Sequence, residues 1–198
     1  MREVEARRHA ASGSTPAADA AAGSAPPPVG STAPAAGRSE ERVRHALGLA
    51  MRRLNRRELT TAEMGRHLDR SGVDPEIAQA AIRELTEVGY LDDERFARLF
   101  VQDRRTLDEW GADRTRRTLL GRGVDRDLID AALDATDGDQ DGTEFERALA
   151  LLRRRFPVPP QDRRERDRAV GMLLRKGYDG DLALDVLAAY ARGSEWPD

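Results

Sequence analysis

Cations are the residues of this chain best placed to do chemistry. Of its 33 basic residues only Lys176 is a lysine, so the chemistry is that of guanidinium groups, planar forks that recognise carboxylates and phosphates through paired hydrogen bonds. Arg52, Arg53, Arg56 and Arg57 close an acid-free basic stretch that begins at Arg42. Arg95, Arg98 and Arg105 recur at helical spacing, opposite a face carrying Phe96 and Phe100. Arg114 and Arg117 follow, then Arg153 and Arg154, then Arg164, Arg168, Arg175 and Lys176. The acids gather elsewhere, at Asp92 to Glu94 and between Asp125 and Glu146. A basic stripe of this kind can neutralise the phosphates of single- or double-stranded DNA and release counterions. It can equally be a solvated helix face.

Other chemistries find little support. There is no G-x-x-x-x-G-K-[ST] phosphate loop, and Lys176-Gly177 lacks the upstream glycines of one. His45 and His67 stand singly, no H-x-x-x-H spacing occurs and there is no cysteine, so neither a catalytic metal site nor a cofactor site is expected. Asp92-Asp93-Glu94 reads as a carboxylate cluster, but an apolar-periodic helix starts directly after it; either aspartate can cap that helix, and acids there complement its dipole. The chain reads as a binding protein and not an enzyme.

The elements that position these cations repeat. Gly72-Val73-Asp74, Gly123-Val124-Asp125 and Gly177-Tyr178-Asp179 each follow a Leu by four residues, at Leu68, Leu119 and Leu173, and each precedes an aliphatic residue by ten, at Ile82, Leu133 and Leu187. The glycines stand 51 and 54 residues apart, a tandem architecture. The physics of the motif is a helix-to-helix corner: Gly takes the left-handed position that ends one helix, and the Asp two residues on caps the next. Thr60-x-x-Glu63 and Thr143-x-x-Glu146 are capping boxes. Val43, Leu47, Ala50, Met51 and Leu54 line one face of a first helix, and a later helix presents Phe96, Leu99, Phe100 and Leu107 on one side. Asp134 to Gly142 reads as a loop, and Pro157, Pro159 and Pro160 end a seventh helix.

An all-α chain of three tandem three-helix repeats follows, forming an elongated, curved body: residues 38–91, 92–142 and 143–193, with a short tail at 194–198. Residues 1–37 are a different material, rich in Ala, Pro, Gly and Ser, which cannot bury enough apolar surface to offset its ordering entropy and is expected to be a disordered tail. A net charge of −3 with 35% charged residues and no apolar run near the ~18 residues of a membrane span point to a soluble chain. The absence of cysteine makes a cytoplasmic location the natural one.

Several of these marks resemble the RecX family of recombinase regulators: the Thr60-Thr61-Ala62-Glu63-Met64-x-x-x-Leu68 helix, the junction Gly89-Tyr90-Leu91-Asp92-Asp93-Glu94-Arg95-Phe96-Ala97, Leu119-x-x-x-Gly123-Val124, and Leu173-Leu174-Arg175-Lys176-Gly177-Tyr178. Met64 stands where the family usually has Leu, and Gly111-Ala112 after Trp110 replace a segment that is commonly more basic. The resemblance implies a monomer, acting without enzymatic activity, that binds the filament of the RecA recombinase and restrains its ATPase, strand-exchange and coprotease activities, with consequences for DNA repair, recombination and the SOS response. The corners also look superficially like helix-turn-helix turns, which leaves a DNA-binding transcriptional regulator as the alternative. Against it, the helices after the corners begin Pro75-Glu76, Arg126-Asp127 and Gly180-Asp181, with acids where a recognition helix meets DNA.

Overall fold

Each glycine corner turns the chain as its residues dictate. The computed structural model describes residues 35–135, 137 and 142–193, and among them the secondary structure is entirely helical. Leu68, Leu119 and Leu173 are buried, and their carbonyls accept from the N–H groups of Val73, Val124 and Tyr178 at 3.1 Å. The glycine between them has φ of 74°, 88° and 90° in the three copies, the left-handed conformation that lets the chain reverse at the helix end. Asp74, Asp125 and Asp179 then accept from N–H groups two residues on, at 3.1, 2.9 and 2.9 Å.

Three helical triplets result. The first holds α1 (Ala35–Leu54), α2 (Thr61–Arg70) and α3 (Pro75–Glu87); the second α4 (Asp93–Asp108), α5 (Ala112–Arg122) and α6 (Arg126–Ala135); the third α7 (Glu144–Arg155), α8 (Arg163–Lys176) and α9 (Gly180–Gly193). In every triplet the third helix packs against both others. Each has its own apolar core, centred on Met64, Leu68 and Leu85 in the first, Val101, Leu119 and Ile129 in the second, and Leu152, Leu173 and Val186 in the third. Such small cores are marginal alone, so the contacts between triplets matter. No described helix is long and apolar enough to cross a membrane.

Two expectations need correction. Residues 35–37, assigned above to the tail, are helical; Ala is the best helix former, and the favourable turn runs back from Arg38 into Ala35-Ala36. On α4 the buried stripe is Phe96, Ala97 and Val101, while Leu99 and Leu107 are 43% and 75% exposed. Beyond Val101 the half-buried positions of α4 belong to Arg104, stacked on Phe100 and Trp110, and Arg105, bonded to the Leu133 carbonyl, and not to Leu107. The remaining expectations for residues 1–34 and 194–198, and for most of the acidic loop before Gly142, lie outside the described residues.

Candidate partner-binding surface

The three triplets are locked together by one joint used twice. In it the N-terminus of a triplet's second helix sits on the glycine corner of the next triplet. At the first joint the Thr60 hydroxyl, N-cap of α2, donates to the Arg122 carbonyl at 2.9 Å, and the Thr61 N–H donates to Asp93 at 2.9 Å. At the second the Gly111 N–H, N-cap of α5, donates to the Lys176 carbonyl at 3.0 Å, and the Ala112 N–H donates to Glu144 at 2.7 Å. Arg122 and Lys176 both stand immediately before the corner glycine, and Asp93 and Glu144 both open the first helix of the following triplet. Close approach is what makes this possible. A Cβ on Gly123 would strike Ala62, and one on Gly177 would strike the Arg114 backbone at 2.6 Å.

This resolves the carboxylate cluster. Asp92 is the cap of α4, accepting from the Arg95 N–H at 2.8 Å. Asp93 reaches back to α2, taking the Thr61 N–H and, at 2.6 Å, its hydroxyl. Neither feature requires a metal, and no cluster of metal-ligand type occurs among the described residues.

Cations tighten both joints. Arg122 makes a two-pronged contact to Glu63 at 3.1 and 2.8 Å and lies 4.3 Å over the Phe96 ring. Burial would raise the Glu63 carboxyl, but the Arg122 hydrogen bond, the Thr60 N–H and the charges of Arg122 and Arg57 outweigh it and hold the group below its ordinary value. At the second joint the Lys176 ammonium donates to the Asp108 carbonyl at 2.7 Å and lies 3.5 Å from Glu109, which Arg154 also contacts. Burial lowers the Lys176 pKa, and the neighbouring Arg155, Arg114 and Arg154 add to that despite Asp108. Between the joints Arg114 stacks on Trp110 at 4.1 Å, Arg104 lies between Trp110 and Phe100 at 5.3 and 5.1 Å, and Arg122 reaches Phe100 at 5.8 Å and Phe96. Guanidinium planes and rings thus alternate along the α4–α5 side of the middle triplet.

The cations singled out in the sequence therefore divide. Arg105 is turned inward to donate to the Leu133 carbonyl at 3.1 Å, and Arg114 donates to the Arg175 carbonyl at 3.1 Å. With Arg154 and Lys176 these belong to the scaffold, which apolar periodicity could not reveal because it scores every arginine as surface. Arg57 leans on Glu63 at 3.7 Å, Arg98 on Glu94 at 3.4 Å, and Arg117 bonds back to the Asp113 carbonyl at 3.2 Å. The Arg52, Arg53, Arg56, Arg95, Arg153, Arg164, Arg168 and Arg175 guanidinium groups have no hydrogen-bond or ion-pair partner among the described residues. Arg168, Arg175 and Lys176 converge with Arg155 on a groove of about 770 Å³ floored by Phe156 and Met172. Arg122, which crosses the first joint, and Arg104, which stacks between Phe100 and Trp110, are cations absent from the candidate set above. The signal for Arg122 was its place before the corner glycine, which Lys176 shares.

Comparison with known proteins agrees with this architecture. Family models for the first, second and third three-helix domains of RecX match residues 46–85, 92–133 and 143–187. Regulatory protein RecX of Stenotrophomonas maltophilia (strain R551-3) is 41% identical over 145 residues, covering 73% of this chain and 83% of the relative. The protein of the same name from Mycolicibacterium vanbaalenii is 36% identical over 156 residues, covering 76% and 85%. The crystal structure of RecX from Lactobacillus salivarius superposes with a TM-score of 0.66 at 17% identity, covering 77% of this chain and 98% of that one. With its three domains matched in order, its corners and joints in place and close relatives along most of its length, the chain belongs to the RecX family.

Proposed function

We propose that this chain is a non-enzymatic regulator that binds the RecA nucleoprotein filament and restrains its ATPase, strand-exchange and coprotease activities in the cytoplasm. The observation that carries the reading is the set of unpartnered guanidinium groups on every triplet: Arg52, Arg53 and Arg56 on the first, Arg95 on the second, Arg164, Arg168 and Arg175 on the third. The joints fix these groups relative to one another, so they address an extended acidic or phosphate-bearing surface as one array and not as separate charges. Membership in a family of regulatory proteins supports the same direction. Some of the groups meet carboxylates of the recombinase and others meet DNA phosphates.

ATP hydrolysis by the cognate recombinase on single-stranded DNA, measured against added protein, tests this. Wild type should lower hydrolysis at amounts well below one per recombinase protomer. Arg95→Ala combined with Arg98→Ala should weaken the effect without altering the far-ultraviolet circular dichroism, since both side chains lie outside the joints. No effect at any ratio, together with tight sequence-selective binding of duplex DNA, would replace this reading with that of a transcriptional regulator.

A further inference from the structure

Both internal joints need two halves, and the chain displays one unused half at each end of its described helices. The receiving half is a glycine corner with a carboxylate beside it. At the first triplet that corner is Ser71-Gly72, and nothing lies within 4 Å of the point where a Gly72 Cβ would stand. No described group donates to the Ser71 carbonyl, the counterpart of the Arg122 and Lys176 carbonyls. Where the docked helix sits in the other two joints, this corner has a cavity of about 540 Å³ lined by Glu41, Ser71, Gly72 and Asp74 among others. Asp93 and Glu144 precede their corner glycines by 30 and 33 residues, and Glu41 precedes Gly72 by 31. Glu41 is thus the counterpart of those two carboxylates by count and lines the corner cavity as they face theirs, from the second turn of α1 and not its start, and it has no partner among the described residues.

The entering half is the N-terminus of a triplet's second helix. In the third triplet this is α8, capped by Asp162 with Glu165 at the third position, as Thr60 and Glu63 stand on α2. The Arg163 N–H is the counterpart of the Thr61 and Ala112 N–H groups that Asp93 and Glu144 accept. No described carboxylate accepts it, and the Arg163 side chain is 95% exposed.

We propose that copies of this chain associate head to tail, the α8 N-terminus of one copy docking on the Gly72 corner of the next, with Glu41 accepting from the Arg163 N–H. The occupant follows from continuity with the two internal joints, which show the same pairing of halves at atomic detail. The contact is heterologous, so it extends from copy to copy, ending in a ring if the rotation per copy closes and in an open row if it does not. It involves one helix end and one corner, far less than the ~1,600 Å² of a standard interface, so it is weak in free solution. Copies laid side by side on a shared partner would be held at high local concentration and would use it. The inference does not depend on which partner the arginines bind.

The chain has no cysteine, which makes the test direct. Full-length Ser71→Cys and Arg164→Cys variants are mixed and treated with a short bismaleimide. Docking should join them at least about tenfold faster than a control mixture of Gln79→Cys with Arg164→Cys, because pairing raises the effective thiol concentration toward the millimolar range. Glu41→Ala placed in the Ser71→Cys copy should bring the rate down to the control. The doubly substituted chain should give a ladder of dimers, trimers and longer products. Cross-linking at the control rate, with wild type sedimenting as a monomer at every concentration, overturns the proposal; so does equal cross-linking of the Ser71→Cys copy to itself, which would mark a symmetric contact.

Discussion

Arg122→Ala tests whether the first joint is a structural bond or a decoration. The Arg122 and Glu63 side chains are only 22% and 14% exposed, so the pair is worth more than the 0 to about 1 kcal/mol of a surface ion pair. It also falls short of the ~3–5 kcal/mol lost when a fully buried pair is broken. Glu63 would not be stranded, because the Thr60 N–H at 3.3 Å and Arg57 at 3.7 Å remain. About 2 kcal/mol for the pair and about 0.5–1 for the stack on Phe96 give a loss near 3 kcal/mol. For a chain of this length that lowers Tm by about 6–10 °C, and because the joint is what couples the first triplet to the second, its melting should separate as an earlier transition. The assay is thermal unfolding followed by circular dichroism from pH 7 to pH 3. Glu63 has a lowered folded pKa, so its contribution is complete above the unfolded value of 4.5 and fades as pH falls through the folded one. The gap between wild type and variant should therefore narrow on the acid side. A loss below about 0.5 kcal/mol, or strict additivity of Arg122→Ala with Glu63→Gln, would refute the reasoning.

Gly72→Ala should cost about 1 kcal/mol for the left-handed backbone alone, whereas Gly177→Ala adds a collision with Arg114 and should cost at least about 2 kcal/mol more by urea unfolding. Asp93→Ala leaves the α4 cap intact but strips the acceptor from Thr61, a loss of about 1–2 kcal/mol that Asp92→Ala should match by a different route. Burial pushes the Tyr178 hydroxyl up to about 12 from 10.0, so its unfolded form ionises first: stability is full below pH 10, falls by up to about 3 kcal/mol toward pH 12, and Tyr178→Phe should flatten that decline in alkaline melts.

The corners were legible because a Gly with a Leu four residues before it and an Asp two after it is a complete local instruction; each of its hydrogen bonds spans five residues or fewer. Both capping boxes formed as read, with the Glu63 N–H at 3.1 Å from the Thr60 hydroxyl and the Glu146 N–H at 3.3 Å from that of Thr143. The joints were not legible, since their bonds connect residues such as Thr60 and Arg122, 62 positions apart. For the same reason the sequence could say that Asp92 or Asp93 caps α4 but not that the other one serves α2. Arg105 was misplaced, and Arg104 passed over, because a guanidinium that hydrogen-bonds a helix end or stacks on a ring is buried by its partners, which only the tertiary structure supplies. Which of the candidate cations stay free of partners within the chain depended on those same tertiary contacts.

Asp93 and Glu144 lie on one side of each triplet boundary and serve the helix on the other. The unit that repeats in the sequence and the unit that is energetically complete are consequently out of phase by about one helix. A segment cut cleanly at residue 92 keeps every turn of its own three helices yet leaves the start of α2 without its carboxylate, and a graft that exchanges one triplet for a relative's would import half of two foreign joints. Recombination between family members should cost less stability when the crossover falls inside α4 or α7, beyond the acid, than when it falls in the loops just before them, because only the first keeps Thr61 or Ala112 with its own carboxylate.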